Sequence, residues 1–255
     1  MEKTRIILCG ACGKMGGNVL SLLAEDDTAL AVCGVDLYPK EIGIPVYKNF
    51  EEIKEDGDII IDFSSPIGLL ERLEYAKAKG LGIVLASTGF TADDLQLIEK
   101  YSNEIAIFKT ANLSLGVNLM QALCKAAAQV LGDNFDVEII EKHHNLKKDA
   151  PSGTALMLAD SVNEAFQEKK RFVNGRDGIV GARTTSEIGI HAVRGGTIVG
   201  EHEVMFAGED EIITISHSAR SKRVFASGAI RAAKFLKGKA AGMYEMKDLL
   251  AEENN

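Results

Sequence analysis

The chemistry-bearing side chains of this sequence are concentrated in residues 141–155, which read Glu-Lys-His-His-Asn-Leu-Lys-Lys-Asp-Ala-Pro-Ser-Gly-Thr-Ala. Histidines such as His143 and His144 titrate near neutrality, and a protonated Lys147 can both attract an anion and give up a proton. The segment therefore suits general acid–base catalysis at a centre that develops negative charge. Pro151-Ser152-Gly153-Thr154 then opens onto an apolar helical pattern, Leu156 to Phe166. Ser152 has the residue type of an N-cap, while the amides of Gly153 and Thr154 could instead receive a carboxylate at the helix start. Paired histidines without such flanks are more often structural; beside a lysine and a helix start they read as an acid–base site.

Those groups need elements to carry them. Phe135 to Glu141 alternates like a half-buried strand ending at the histidines, and Gly116 to Leu131 has helical spacing stopped by Gly132-Asp133-Asn134. Further on, Ile188–Arg194, Thr197–Ala207 and Glu211–Ser218 predict three strands of an open, largely antiparallel or mixed sheet. His191, His202 and His217 lie in these runs and are expected to be structural, His202 being the one that could line the site. Arg194 is expected to end its strand in solvent, and the glycines between 174 and 196 suggest a mobile loop. One face of such a sheet needs cover beyond its own helices, which argues for self-association.

The first half of the chain predicts a nucleotide platform. An apolar run, Arg5 to Gly10, leads into Gly10-Ala11-Cys12-Gly13-Lys14-Met15-Gly16, and Met15, Val19, Leu22 and Leu23 continue with helical spacing. Strand, glycine turn and helix together let a pyrophosphate approach the backbone and meet a helix N-terminus. A second run, Leu30 to Val35, ends in Asp36, where an acidic side chain can bind ribose hydroxyls. Ile59–Phe63, Gly82–Ala86 and Ile105–Phe108 are continuous apolar runs of the kind buried in parallel sheets, with helices predicted over Leu69–Lys79 and Ala92–Tyr101. Polar clusters follow each of the three: Ser64-Ser65-Pro66, Ser87-Thr88-Gly89 and Ala111-Asn112-Leu113-Ser114. In doubly wound sheets ligands bind outside the carboxyl ends of the strands, so these clusters suit a nicotinamide-ribose site. The fold class expected is α/β, a Rossmann-like doubly wound parallel sheet plus a smaller α+β domain.

Composition narrows the function classes. A formal net charge of -8 argues against a nucleic-acid surface, which needs clustered cations. No apolar run approaches the roughly 20 residues of a membrane span, and the start lacks a signal-peptide core, so a cytosolic location is expected. Cys9, Cys12, Cys33 and Cys124 lack the paired spacing of a zinc ribbon and read as buried free thiols; no metal site is expected.

With those motifs set out, the chain resembles the 4-hydroxy-tetrahydrodipicolinate reductase (dihydrodipicolinate reductase) family. The resemblance is carried by residues 141–155, by Gly-Ala-x-Gly-x-Met-Gly at 10–16, by Asn-Leu-Ser-Leu-Gly-Val-Asn at 112–118 and by Arg-Gly-Gly-x-Ile-Val-Gly-Glu-His at 194–202, and it runs nearly end to end. It implies hydride transfer from NADH or NADPH to an unsaturated heterocyclic dicarboxylate in lysine and diaminopimelate synthesis, by a homotetramer. It further implies that His143 is the acid/base, that Lys147 is the proton donor, and that His144, Lys147, Ser152, Gly153 and Thr154 handle substrate carboxylates. The cofactor would lie on Gly10, Ala11, Cys12, Gly13, Lys14, Met15, Asp36, Ala86, Ser87, Thr88, Ala111, Asn112 and Leu113. Two positions depart from the family pattern. Leu113 stands where Phe is frequent, and Leu37 follows Asp36 where an NADP-selective site would often place Arg, so NADH is expected to be used at least as well as NADPH. Lys14 or Lys40 could supply the missing charge.

The resemblance also implies domains of residues 1–114 with 222–255 for the dinucleotide, and 115–221 for substrate binding and oligomerisation. Val224–Leu236 and Ala240–Leu250 are predicted helical, and residues 252–255 are expected to fray. A reductase of another cyclic imine, or a nucleotide sensor lacking turnover, remain as alternatives; the sensor would be expected to have lost the proton donors.

Overall fold

The computed structural model describes residues 2–253, and in chain order its elements begin with a strand, glycine turn and helix: β1 (Thr4–Cys9) and α1 (Lys14–Leu23). Alternation continues through β2 (Ala29–Val35), a short β3 (Val46–Tyr47), β4 (Ile59–Asp62), α2 (Leu69–Lys79), β5 (Gly82–Leu85), α3 (Ala92–Ser102) and β6 (Ala106–Lys109). The chain then builds α4 (Leu115–Leu131), β7 (Asp136–His143), α5 (Gly153–Asn163), β8 (Arg171–Asn174), β9 (Glu187–Arg194), β10 (Gly200–Ala207) and β11 (Ile212–Ala219). It closes with α6 (Arg223–Leu236), β12 (Gly242–Tyr244) and α7 (Met246–Glu253).

Two compact units result: residues 1–113 with 222–255, and residues 114–221. In the first, seven strands run in the order β12-β6-β5-β4-β1-β2-β3, with every pairing parallel. Strands buried on both faces explain the unbroken apolar runs. Ile7, Cys9, Ile60, Ile83, Leu85 and Ile107 join Leu69, Leu73, Ala76, Ile98 and Tyr101 in one core. Successive strand residues point to opposite faces, and the alternate residues Ile6, Leu8, Ile59, Ile61, Val84 and Phe108 are buried as well. On that second side α6 packs beside α1 and lies on β4, β5 and β6. Thr91 caps α3 reciprocally with Asp94, and Gly80, in the left-handed region at φ 64°, ends α2, which is why both helices begin and stop within a residue of the sequence expectation.

The second unit is a mixed five-stranded sheet, β11-β10-β7-β9-β8, in which β10 runs antiparallel to both neighbours and β7, β9 and β8 are parallel. Val137 and Ile139 of β7, Ile188 and Ile190 of β9 and Val204 and Phe206 of β10 bury against Met120 and Cys124 of α4, Leu158 and Val162 of α5 and Phe166 just beyond α5. The opposite face is ionic. Glu138 accepts hydrogen bonds from Arg176 at 2.8 and 3.0 Å and from Arg183 at 2.9 Å, and it lies 2.7 Å from His191 Nε2. Burial alone would raise the Glu138 carboxyl, but these donors hold it down at about 2.

Several expectations need correction. In the glycine-rich loop after residue 174, Arg176 and Arg183 both reach Glu138 on the sheet. β3, β8 and β12 were not anticipated, and the single helix expected over Ala240–Leu250 is instead β12 followed by α7, because Gly242 to Tyr244 pair with Ala106 to Phe108 at the edge of the parallel sheet. α7 continues through Glu253, and Asn254 and Asn255, where fraying is expected, lie outside the described residues. Cys12 is only half-buried, whereas the other three cysteines are buried and unpaired.

Candidate active site

β7 places the acid–base candidates. Its residues alternate half-buried and buried, so Val137, Ile139, Glu141 and His143 share the inward face. Glu141 is fully buried and His143 is 9% exposed. The Glu141 carboxylate lies 2.6 Å from His143 Nδ1, accepts the Ser152 amide at 2.9 Å, and pairs with both terminal nitrogens of Arg194 at 2.7 and 2.8 Å. Burial would raise its pKa, but the Arg194, His143 and Ser152 hydrogen bonds outweigh that and lower it. Arg194 is thus no solvated strand end: it sits opposite His143 in the β7–β9 ladder, its fork turned onto Glu141 and onto the Asp149 carbonyl at 2.7 Å. Its own pKa is raised by the hydrogen bonds to Glu141, against a smaller effect of burial.

Ser152 is the N-cap of α5, which starts at Gly153, earlier than the sequence pattern indicates; its Oγ accepts the Ala155 amide at 3.2 Å. The same Oγ lies 3.1 Å from His202 Nε2, and the His202 ring meets His143 edge to face at 5.2 Å between centroids. His202 is 5% exposed, and burial, reinforced by the nearby His143, pushes its pKa down to about 4, so its imidazole is neutral at pH 7. Its Nδ1 and that of His144 are buried without a hydrogen-bond partner. Lys147 follows in the loop, its Nζ 2.9 Å from Asp149 and its amide donating to the His144 carbonyl. His143, Lys147, Ser152 and the opening of α5 are therefore gathered at one end of the mixed sheet. His191 and His217 stand apart in role, the first in the ionic face and the second against Gly116.

The parallel sheet carries a separate arrangement suited to a dinucleotide. Gly10 lies in the left-handed region at φ 74°, where a Cβ would stand 2.9 Å from the Phe63 carbonyl carbon; a Cβ on Gly16 would come within 2.3 Å of the Ala11 oxygen. No side chain caps α1, which leaves its first-turn amides to a ligand. Asp36 receives the Cys12 amide at 3.0 Å, joining the end of β2 to the glycine turn, and it lines a cavity of about 430 Å³ with Gly10, Leu37, Lys48, Ser65 and Arg72. Beneath this cavity Asp62, fully buried, pairs with Arg72 Nε at 2.9 Å and accepts the Ser64 amide at 3.0 Å. Because all strands of the sheet are parallel, the turns at Ser64-Ser65, Ala86-Ser87-Thr88 and Ala111-Asn112-Leu113 emerge at the same carboxyl edge as Gly10–Met15. These residues fit a dinucleotide: a backbone cradle that admits no Cβ, an uncapped helix start and an adjoining cavity with a carboxylate. Lys48, which no motif singles out, and the pair Asp62–Arg72 were not anticipated; nor was Glu141 as the centre of the acid–base cluster, although a carboxylate in register with Val137 and Ile139 is its signal.

A doubly wound parallel sheet with a glycine turn, joined in one chain to a unit bearing a carboxylate-held histidine, defines a nicotinamide-dependent oxidoreductase. Residues 4–113 match the family described as "Dihydrodipicolinate reductase, N-terminus" and residues 116–250 match "Dihydrodipicolinate reductase, C-terminus". The chain belongs to the dihydrodipicolinate reductase family, NAD(P)H-dependent enzymes of lysine and diaminopimelate biosynthesis. It is 50% identical to the 4-hydroxy-tetrahydrodipicolinate reductase of Caldanaerobacter subterraneus subsp. tengcongensis, over 96% of this chain and 98% of that one. To the enzyme of the same name from Clostridium tetani it is 45% identical, over 96% of each chain. The solved structure of dipicolinate-bound dihydrodipicolinate reductase from Paenisporosarcina sp. TG-14 superposes with a TM-score of 0.79 at 25% identity, covering 95% of this chain and 97% of that one. Among the described residues no helix is long and apolar enough to cross a membrane, and no group of three or more His, Cys, Asp or Glu is arranged to hold a metal ion.

Proposed function

We propose that His143 is the acid/base and Lys147 the proton donor in reduction of a heterocyclic dicarboxylate, with His144, Lys147, Ser152, Gly153 and Thr154 receiving its carboxylates. The observation that carries this reading is the double role of Glu141. One buried carboxylate accepts both His143 Nδ1 and the Ser152 amide, so the imidazole and the N-terminus of α5 are fixed at one place. A helix start favours an anion, and an ammonium beside it adds attraction for a dianion. Asp149 occupies one of the three donors of Lys147, leaving the others for substrate.

The glycine turn 10–13, Lys14, Met15, Asp36 and the turns at 86–88 and 111–113 would hold the cofactor, whose reduced nicotinamide supplies the hydride. This chain supplies the proton to the carbon next to the reduced one. Lys147 Nζ gives it up, and His143 restores it or assists loss of water from a hydroxylated ring. Leu37, 73% exposed beside Asp36, offers no guanidinium to a 2′-phosphate, which supports use of NADH at least as readily as NADPH. A cytosolic homotetramer completes the reading, and the exposed apolar side chains Val193 and Ile212, on the face of the mixed sheet away from its helices, support association through that sheet.

The test generates substrate in place from pyruvate and aspartate semialdehyde with a dehydratase, then follows NADH and NADPH oxidation. His143→Ala and Lys147→Ala should each lower kcat by about 10²-fold or more while NADH binding holds. Near-normal kcat in either variant removes that residue from its role.

A further inference from the structure

Which nitrogen of His143 can exchange a proton depends on what its Nδ1 faces, and Nδ1 faces Glu141. Glu141 faces four nitrogens: Arg194 Nη1 donates at 2.7 Å to Oε2, which also lies 2.6 Å from His143 Nδ1, and Arg194 Nη2 at 2.8 Å and the Ser152 amide at 2.9 Å donate to Oε1. An ionised carboxylate has about four acceptor sites and nothing to donate, so this one is saturated. Its neighbour Nδ1 must then carry the hydrogen. A buried carboxylate left with histidine alone would be expected to compete for that proton; shared with a bidentate guanidinium it is a weak base. Arg194 also donates to the Asp149 carbonyl at 2.7 Å, and the Gly195 amide donates to the His143 carbonyl at 2.9 Å, so the end of β9 is tied both to His143 and to the Lys147 loop. On the other edge of the imidazole a Cβ at position 200 would lie 3.1 Å from Nε2, and Gly200 has none.

We propose that Glu141 and Arg194 form a positioning pair that locks His143 in its Nδ1–H tautomer and so makes Nε2 the atom through which the acid–base step runs. The proposal rests on the assignment of His143 as acid/base. The ionisable groups facing the ring are Glu141 on β7, Arg194 opposite it on β9 and His202 on β10; His144 adjoins it in the chain, His217 pairs with His202 on β11, and Lys147 and Asp149 lie in the loop that follows. Of these, Glu141 and Arg194 act with opposite signs on the imidazolium. Removing the carboxylate disfavours it; removing the guanidinium leaves a full anion to His143 and favours it.

Long-range nitrogen–proton NMR on histidine-labelled protein reads the tautomer directly in the parent enzyme, with His143→Gln assigning the signal. The expected result is Nδ1–H; an Nε2–H tautomer in the parent protein overturns the proposal with no variant needed. Glu141→Gln presents an amide to Nδ1 and should convert His143 to Nε2–H. In the dehydratase-coupled assay it should lower kcat about 10²-fold, the lower end of what a placed acid–base group contributes, with KM and NADH binding near the parent values. Its pH profile should move to lower pH, and that of Arg194→Met to higher pH. Movement of both profiles in the same direction marks a merely structural pair and overturns the proposal. His143→Gln in the same assay separates the two claims. Full activity there removes His143 itself; lost activity there with full activity in Glu141→Gln removes only the positioning pair.

Discussion

Asp62→Asn tests whether the buried ion pair under the cavity lined by Asp36 stabilises that unit. Asp62 is fully buried and Arg72 is 5% exposed, so the substitution leaves a guanidinium in the interior without its counter-charge. Arg72 keeps two acceptors, the Ser65 carbonyl at 2.5 Å and the Ile67 carbonyl at 3.0 Å, which places the expected loss near the lower end for a broken buried pair, about 3 kcal/mol. With a urea dependence of about 3 kcal/mol per molar, the midpoint should fall by about 1 M. The assay is built into the sequence. The chain has no tryptophan, and its five tyrosines, Tyr38, Tyr47, Tyr75, Tyr101 and Tyr244, all lie in the unit formed by residues 1–113 and 222–255, so tyrosine fluorescence follows that unit alone. Adding Arg72→Met removes the stranded charge, and the double variant should be more stable than Asp62→Asn by itself. A midpoint unchanged in Asp62→Asn, or a double variant that loses the sum of the two singles, refutes the reasoning.

Acid should destabilise the other unit through His202. Its folded pKa of about 4 lies below an unfolded value near 6.5, so the unfolded chain binds the extra proton between those values and stability falls as pH drops through that window, by about 3 kcal/mol at most. His202→Gln should flatten the pH dependence of calorimetric stability from 6.5 to 4; an unchanged slope assigns the acid sensitivity elsewhere. Leu37→Arg should tighten NADPH binding by at least about 10-fold, the effect of one hydrogen bond to a charged group, with NADH changed far less. Equal changes in the two Kd values would show that position 37 does not face the 2′-phosphate.

Elements with strong local punctuation were legible from sequence. The apolar runs of β1, β4, β5 and β6 are continuous because both faces are buried, and α2 and α3 are bounded by a left-handed glycine and a capping box. The elements that escaped are those whose cause is distant. β3, β8 and β12 have 2, 4 and 3 residues, too few for a period to register, and they exist because an edge strand accepts them. The residues proposed for acid–base chemistry are legible as types, whereas the contacts among them are not. Glu141 falls at the end of an alternating run where a charge ordinarily marks the exit to solvent, and Arg194, its partner, is separated from it by 53 positions and brought near only by the parallel β7–β9 pairing. Asp36 was legible as a strand-end acid beside a glycine turn, although not its bond to the Cys12 amide.

The unit formed by residues 1–113 is completed only by residues 222–255. Residues 114–221 are contiguous and can complete their sheet as soon as they leave the ribosome, but β6 keeps an unpaired edge, and the sheet face later covered by α6 stays bare, until residues 223–244 have been made. During synthesis, residues 114–221 can therefore mature before residues 1–113. The nascent N-terminal segment must wait with an exposed strand, the situation in which chains most readily pair with the wrong neighbour.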